Sequence, residues 1–208
     1  MHPIEACSDE TLLQRALAGE EEAFTRLYQR LRGVVYRFAR QMSGSASLAE
    51  DVTQEVFLIL LRKAELFDPQ RGALSTYLIR IARNEILRRL GRDQAYVFLD
   101  DAAQEETAPP DEKLIVRSNP LGSLVRNEEI EAVRQAILAL PLHYREVVVL
   151  CELEELSYTE AATLLGCAIG TVRSRLHRAR GLLKQRLRLD AATEEEDELR
   201  VKRAACLR

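Results

Sequence analysis

Tryptophan is absent from the 208-residue chain, and cysteine, proline and glycine are scarce at four, six and nine residues. So few glycines and prolines exclude collagen-like and low-complexity classes. The cysteines, Cys7, Cys151, Cys167 and Cys206, are too scattered for a C-x2-C knuckle, and His2, His143 and His177 do not pair with them at ligand spacing. No metal site is therefore expected. The longest apolar run, residues 56–61, is six residues long, whereas a spanning helix needs about 20, so no membrane insertion is expected. The first ten residues are polar and acidic, without a basic start and an apolar stretch. That pattern predicts no secretory signal and a cytoplasmic protein, whose thiols stay free. A nucleophile elbow, a Gly-rich phosphate loop and a carboxylate–histidine cluster are all missing, so neither an enzyme nor a cofactor is expected.

What is present is 47% hydrophobic residues beside 30% charged ones, enough to build real cores. A formal net charge of −3 argues against a chain that coats nucleic acid by bulk electrostatics. The charge is unevenly spread, however. Residues 71–92 hold six basic side chains against one acid, Glu85, and residues 171–188 hold seven basic ones and no acid. Between them, residues 93–112 carry seven acids, no Lys or Arg, and the helix-breaking pair Pro109 and Pro110, which reads as a linker. Residues 190–208 form an acidic block followed by a short basic tail, expected to be mostly disordered.

Apolar residues recur every three or four positions, so the chain reads as helical throughout. Phe24, Leu27, Leu31, Val35, Phe38 and Met42 make one stripe, ended near Gly44. Ser47 and Glu50 have the spacing of a capping box that opens a second helix carrying Leu48, Val52, Val56 and Leu60. Residues 67–72 have turn chemistry, and a third helix follows over residues 74–90. On it Thr76, Arg80, Arg83 and Asn84 share a polar, basic side opposite Leu78 and Ile81. After the linker, Ile130, Val133, Ile137 and Leu140 predict a helix stopped by Pro141. The triplet Val147, Val148 and Val149 continues a further helix begun near Tyr144.

Ser157 and Glu160 form a second capping box, followed by Ala161, Ala162, Leu164 and Leu165, then Gly166 as a left-handed stop. A short turn leads to a helix opening at Thr171 with Val172, Leu176, Ala179, Leu183 and Leu187 in one stripe. Helix, tight turn and helix, with the small Ala162 permitting close approach, is the pattern of a helix-turn-helix. Opposite that stripe stand Ser174, His177 and Arg178, flanked by Thr171 and Arg173. There Arg can meet guanine O6 and N7 in a major groove.

The string AATLLGCAIGTVRSRLHRAR, residues 161–180, resembles conserved region four of the extracytoplasmic-function group of bacterial RNA polymerase sigma factors. Leu140-Pro141 and Arg145-Glu146-Val147 fit the same region. AEDVTQEVF, residues 49–57, resembles region two where the family docks on the polymerase clamp, and LIRIARN, residues 78–84, resembles the helix that meets the minus-ten element. The resemblance implies an all-α protein of two small helical domains. They are a region-two bundle over 10–92 and a region-four helix-turn-helix over 128–189, joined by a flexible linker over 93–127 and followed by a tail over 190–208. It implies as partners core RNA polymerase, through the beta prime clamp and beta flap, promoter DNA, and an anti-sigma inhibitor. Carried over by position, Asp51, Gln54, Glu55 and Phe57 meet the clamp, although Phe57 equally fits core packing. Thr76, Arg80, Arg83 and Asn84 meet the minus-ten element, where extruding a base costs a few kcal/mol offset by a fitted pocket. Asn84 also fits a structural amide. Thr171, Arg173, Ser174, His177 and Arg178 meet the minus-thirty-five element.

Two positions depart from the family pattern. Tyr77 stands where Trp is common, and Ala168 where Pro is frequent. The acids Glu105, Glu106, Asp111 and Glu112 lie where the family's linker passes the polymerase active-site cleft, so exchanging them for Gln is expected to alter abortive initiation. A dimeric helix-turn-helix regulator that binds a palindrome by itself is the alternative reading of the second half.

Overall fold

The computed structural model describes residues 7–90 and 123–205. The acidic stretch assigned to the linker at 93–112, together with Cys206, lies outside them. Among the described residues every regular element is helical: α1 (Asp9–Leu17), α2 (Glu21–Ser43), α3 (Ala46–Arg62), α4 (Leu74–Arg89), α5 (Ser123–Leu138), α6 (Leu142–Val148), α7 (Tyr158–Leu165) and α8 (Ile169–Ala205). The all-α reading holds.

The first four helices share one core. The stripe Leu27, Leu31, Val35, Phe38 and Met42 of α2 faces Val52, Val56 and Leu60 of α3 and Leu78, Ala82 and Ile86 of α4, all buried. Leu12 and Leu13 of α1 close one side. Burying a side chain of this size is worth about 1.5–3 kcal/mol, so the packed stripes rather than helix propensity hold the bundle. Thr53, buried among them, donates its hydroxyl to the Ala49 carbonyl at 2.6 Å and so leaves no polar debt. As predicted, α2 stops at Gly44, whose φ of 73° is the left-handed cap that glycine adopts without cost.

The capping box at Ser47 is not formed. Ser45 is the N-cap of α3, accepting from the Leu48 N–H at 3.2 Å, because the chain leaves Gly44 already extended there. Between α3 and α4 the expected turn is two single 3-10 turns, Ala64–Leu66 and Pro69–Arg71, the second capped by Asp68 accepting from Gln70 N–H.

The second group, α5 to α8, buries Ala136, Ile137, Leu140, Val147, Leu150, Ala161, Val172 and Leu176, and all of these but Ala136 join one apolar cluster with the buried residues of α1 to α4. The predicted α5 stripe holds only in part, since Ile130 and Val133 are exposed. The valine run is helical as predicted, but after Val148 the turn widens to an i→i+5 stretch over Val149–Leu153, closed by Glu154 N–H donating to the Val149 carbonyl. One residue is thereby inserted without breaking the helix. Glu155 then takes a left-handed φ of 56° to release the chain toward α7. The tail expectation is corrected: α8 runs on to Ala205. No Gly or Pro follows Gly181 in that segment, and Ala, Glu, Leu and Arg are strong helix formers.

Candidate nucleic-acid and partner interfaces

The side of α4 assigned to the minus-ten element is assembled, with one exception. Arg80 and Asn84, one turn apart, are exposed, and Thr76 is half-buried beside them. The Arg80 guanidinium lies over the Tyr77 ring at 5.0 Å, and that ring packs on Phe67 of the preceding loop at 5.4 Å between centroids. The smaller aromatic at position 77 is thus held from both sides. Arg83 is different. Its Nε donates to Glu146 Oε1 of α6 at 2.6 Å, and its side chain is turned away from solvent.

On α3, Asp51 and Gln54 are exposed and Glu55 is half-buried; together with Leu48, Leu58 and Arg89 they line one shallow depression. Phe57 is corrected. Its ring sits inside, edge-on to Tyr28 at 4.8 Å and to Phe24 at 6.4 Å, so it supports this surface from behind and offers no face to a partner. Gln54 also borders a second groove, lined by Tyr28, Arg32, Gly33 and Tyr36 of α2 with Glu50 and Thr53 of α3.

The second helix pair is a helix-turn-helix in geometry as well as in sequence. Ser157 accepts from the Glu160 N–H while the Glu160 carboxylate accepts from the Ser157 N–H at 2.9 Å, so α7 starts with both bonds of the box made. The hydroxyl and N–H of Ser157 hold the Glu160 carboxyl below its ordinary value. Gly166, at φ 67°, ends α7. The buried Ala161 and Ala162 let α8 cross closely, and Val172, Leu176 and Ala179 bury its inner stripe. Helix α8 starts at Ile169, two residues before the predicted Thr171. Its outer side presents Arg173, Ser174, His177 and Arg178, all exposed, with Thr171 half-buried. Ser174 donates its hydroxyl to the Thr171 carbonyl at 3.0 Å, leaving oxygen lone pairs outward. Arg180 is committed instead to Glu152 at 2.6 Å.

Family models match the two halves separately: Sigma-70 region 2 over residues 27–96 and Sigma-70, region 4 over residues 130–183. A relative named ECF RNA polymerase sigma factor SigW, from Bacillus subtilis, is 31% identical over 85% of this chain and 95% of its own length. The chain is an extracytoplasmic-function sigma factor. Another relative, ECF RNA polymerase sigma factor SigE of Mycolicibacterium smegmatis, is 36% identical over 74% of this sigma factor, which spans 57% of that protein's length. A solved structure of the sigma factor RpoE in complex with the anti-sigma factor NepR from Bartonella quintana superposes with a TM-score of 0.57 at 28% identity, over 80% of this chain and 98% of that one.

Sequence reasoning missed several residues of this sigma factor that the fold brings to the same surfaces. Leu58, at 45% exposed, is an apolar residue on the face of Asp51, Gln54 and Glu55. Its signal was the i, i+3, i+4, i+7 spacing from Asp51, hidden inside the run 56–61 that reads as core. Tyr28, Arg32 and Tyr36 were hidden by lying on the flank of the α2 stripe. Among the described residues no group of three His, Cys, Asp or Glu is placed to hold a metal ion, and Cys7, Cys151 and Cys167 are unbridged. No helix among them is long and apolar enough to cross a membrane.

Proposed function

We propose that this sigma factor binds core RNA polymerase and directs it to specific promoters, with the α1–α4 unit reading and melting the minus-ten element and α7–α8 reading the minus-thirty-five element. The observation that carries the reading is the occurrence of two family regions, in order, on two helical units that each expose a distinct contact face. Asp51, Gln54, Glu55 and Leu58 are proposed to meet the polymerase clamp, with Phe57 behind them. Arg80 and Asn84, joined by Thr76 and Arg83, are proposed for minus-ten DNA, and Thr171, Arg173, Ser174, His177 and Arg178 for minus-thirty-five DNA. The domains are proposed to run over 10–92 and 128–189, the protein to act in the cytoplasm, and its part to be recognition without turnover of its own. Because a related sigma factor was solved with an anti-sigma factor, an inhibitory protein partner is proposed here as well.

With a net charge of −3 and two small readers, neither half holds DNA tightly alone. Fixing both on one large platform multiplies two weak contacts through effective concentration. The test is run-off transcription with purified core polymerase, on promoters first located by chromatin mapping. Defined transcripts that need both partners are expected. Tight, palindrome-dependent binding by the chain alone, without any effect on core polymerase, would instead mark a dimeric regulator.

A further inference from the structure

A glycine inside a helix is destabilising relative to alanine, and Gly33 of α2 has no local reason to be one. Its φ is not left-handed, and a Cβ there would meet only the end of the flexible Arg37 side chain, at 3.4 Å. What the missing side chain provides is depth. Gly33 lines a groove of about 330 Å³ between α2 and α3, with Tyr28, Arg32 and Tyr36 at successive turns of α2 and Glu50 and Gln54 one turn apart on α3. Among the described residues no hydrogen bond or ion pair engages Arg32, Glu50, Gln54 or either tyrosine hydroxyl. The Arg32 guanidinium stands 5.9 Å from the Tyr28 ring centre, and that ring is held edge-on by Phe57 at 4.8 Å.

We propose that this groove binds a free guanine nucleotide and that its occupation opposes docking of core polymerase. The site stands on its own geometry, whereas the effect on polymerase rests on the sigma-factor reading.

The volume falls at the small-molecule end of the range for ligand pockets. Two half-buried tyrosines offer faces on which a flat base can stack. Arg32, exposed and without an acidic partner, supplies the planar fork that suits a phosphate. Glu50 stands on the opposite wall, so the cation and the carboxylate can meet the two ends of one ligand. A carboxylate only accepts hydrogen bonds, and guanine presents two adjacent donors, N1–H and the N2 amino group, on its pairing edge. Adenine presents an acceptor at N1, which a carboxylate repels, so the site selects between purines. A second copy of the chain does not fit, because it would bring the same hollow and leave both grooves empty. Gln54 lines this groove and also the depression with Asp51, Glu55 and Leu58 proposed for the clamp. Nucleotide and polymerase therefore compete for one side chain, and each lowers the affinity of the other by the same factor.

The experiment is isothermal titration calorimetry of the full chain with guanosine diphosphate, against adenosine diphosphate and unphosphorylated guanosine. Guanosine diphosphate is expected to bind about tenfold more tightly than either, the discrimination of one bidentate pair. Glu50→Gln should bring the two diphosphates within about twofold of each other, and Arg32→Ala should reduce guanosine diphosphate to the affinity of guanosine. Gly33→Leu fills the groove and should abolish the binding heat. Its circular dichroism should keep the parent's helix content, since leucine is the better helix former. Saturating guanosine diphosphate should weaken association of the parent with core polymerase about fivefold and leave Gly33→Leu unaffected. Folded parent that binds none of the three compounds, or all three equally, would overturn the proposal. So would Gly33→Leu that still binds nucleotide, or that associates poorly with core polymerase in nucleotide-free buffer, which would give the groove to the polymerase itself. Parent that binds guanosine diphosphate selectively but never associates with core polymerase would support the site and overturn the sigma-factor reading.

Discussion

Cys151 and Leu58 show how position overrides residue type. Cys151 lies half-buried in the widened turn after α6, where burial and then the neighbouring Glu152 raise its thiol from 9.0 to about 11, against a smaller opposing pull from Arg180. A rise of that size lowers the thiolate fraction near pH 8 about 100-fold. Alkylation by iodoacetamide under native conditions should therefore leave Cys151 unmodified long after an unperturbed thiol has reacted, as peptide mass spectrometry would register; labelling at the rate of a free cysteine would contradict the burial. Leu58 is the converse, an apolar side chain left at the surface among Asp51, Gln54 and Glu55. An exposed anchor ringed by polar groups is typical of an interface centre. Leu58→Asp is expected to weaken association with core polymerase about tenfold or more while the melting temperature stays within about 4 °C, since exposed substitutions usually change stability by less than about 0.5 kcal/mol. Equal binding by parent and variant, titrated by fluorescence anisotropy, would remove Leu58 from the interface.

At the scale of elements, the helix-turn-helix depends on the box that starts α7. Ser157→Ala removes the acceptor for the Glu160 N–H and should cost about 1 kcal/mol. The box also sets an acid limb. A carboxylate held below its ordinary value of 4.5 contributes stability above that pH and loses it as pH falls through the lower folded value. Thermal melts between pH 7 and pH 3 should show Glu160→Gln flattening part of that loss, and an unchanged limb would count against the box. This box was legible in the sequence because both partners are local, three residues apart with a fixed geometry. The stripes of α2, α3 and α8 were legible for the same reason, being periodic. The start of α3 was not, because Ser45 and Ser47 are equally good caps and the choice fell to the path leaving Gly44. The widened turn at Val149 and the left-handed Glu155 have no local signal either, since an inserted residue is accommodated only through packing in three dimensions. On the site side, Arg80, Asn84, Arg173 and His177 stand where helical phase put them. The burial of Phe57 and the pairing of Arg83 with Glu146, 63 residues away, required the tertiary fold.

For the whole molecule, the question is whether the two readers work independently once mounted on polymerase. Asn84 of α4 and Arg173 of α8 are both exposed on different helical units, and each is proposed to meet its own promoter element. Variants without shared partners usually add in free energy, whereas residues in direct contact do not. Asn84→Ala and Arg173→Ala should each lower initiation from a mapped promoter by an amount near the roughly 1–3 kcal/mol carried by one specific base contact. The double variant should then lose the product of the two fold-changes. Arg83 and Glu146 should behave otherwise in thermal melts of the chain: the second substitution adds little to the first, because removing either partner already breaks the pair. Run-off transcription at fixed core polymerase and saturating sigma factor measures the Asn84 and Arg173 cycle on one template. A double variant of Asn84 and Arg173 no weaker than its worse single parent would mean that the readers are coupled through more than their tether, and the independent-contact account of promoter selection would fail.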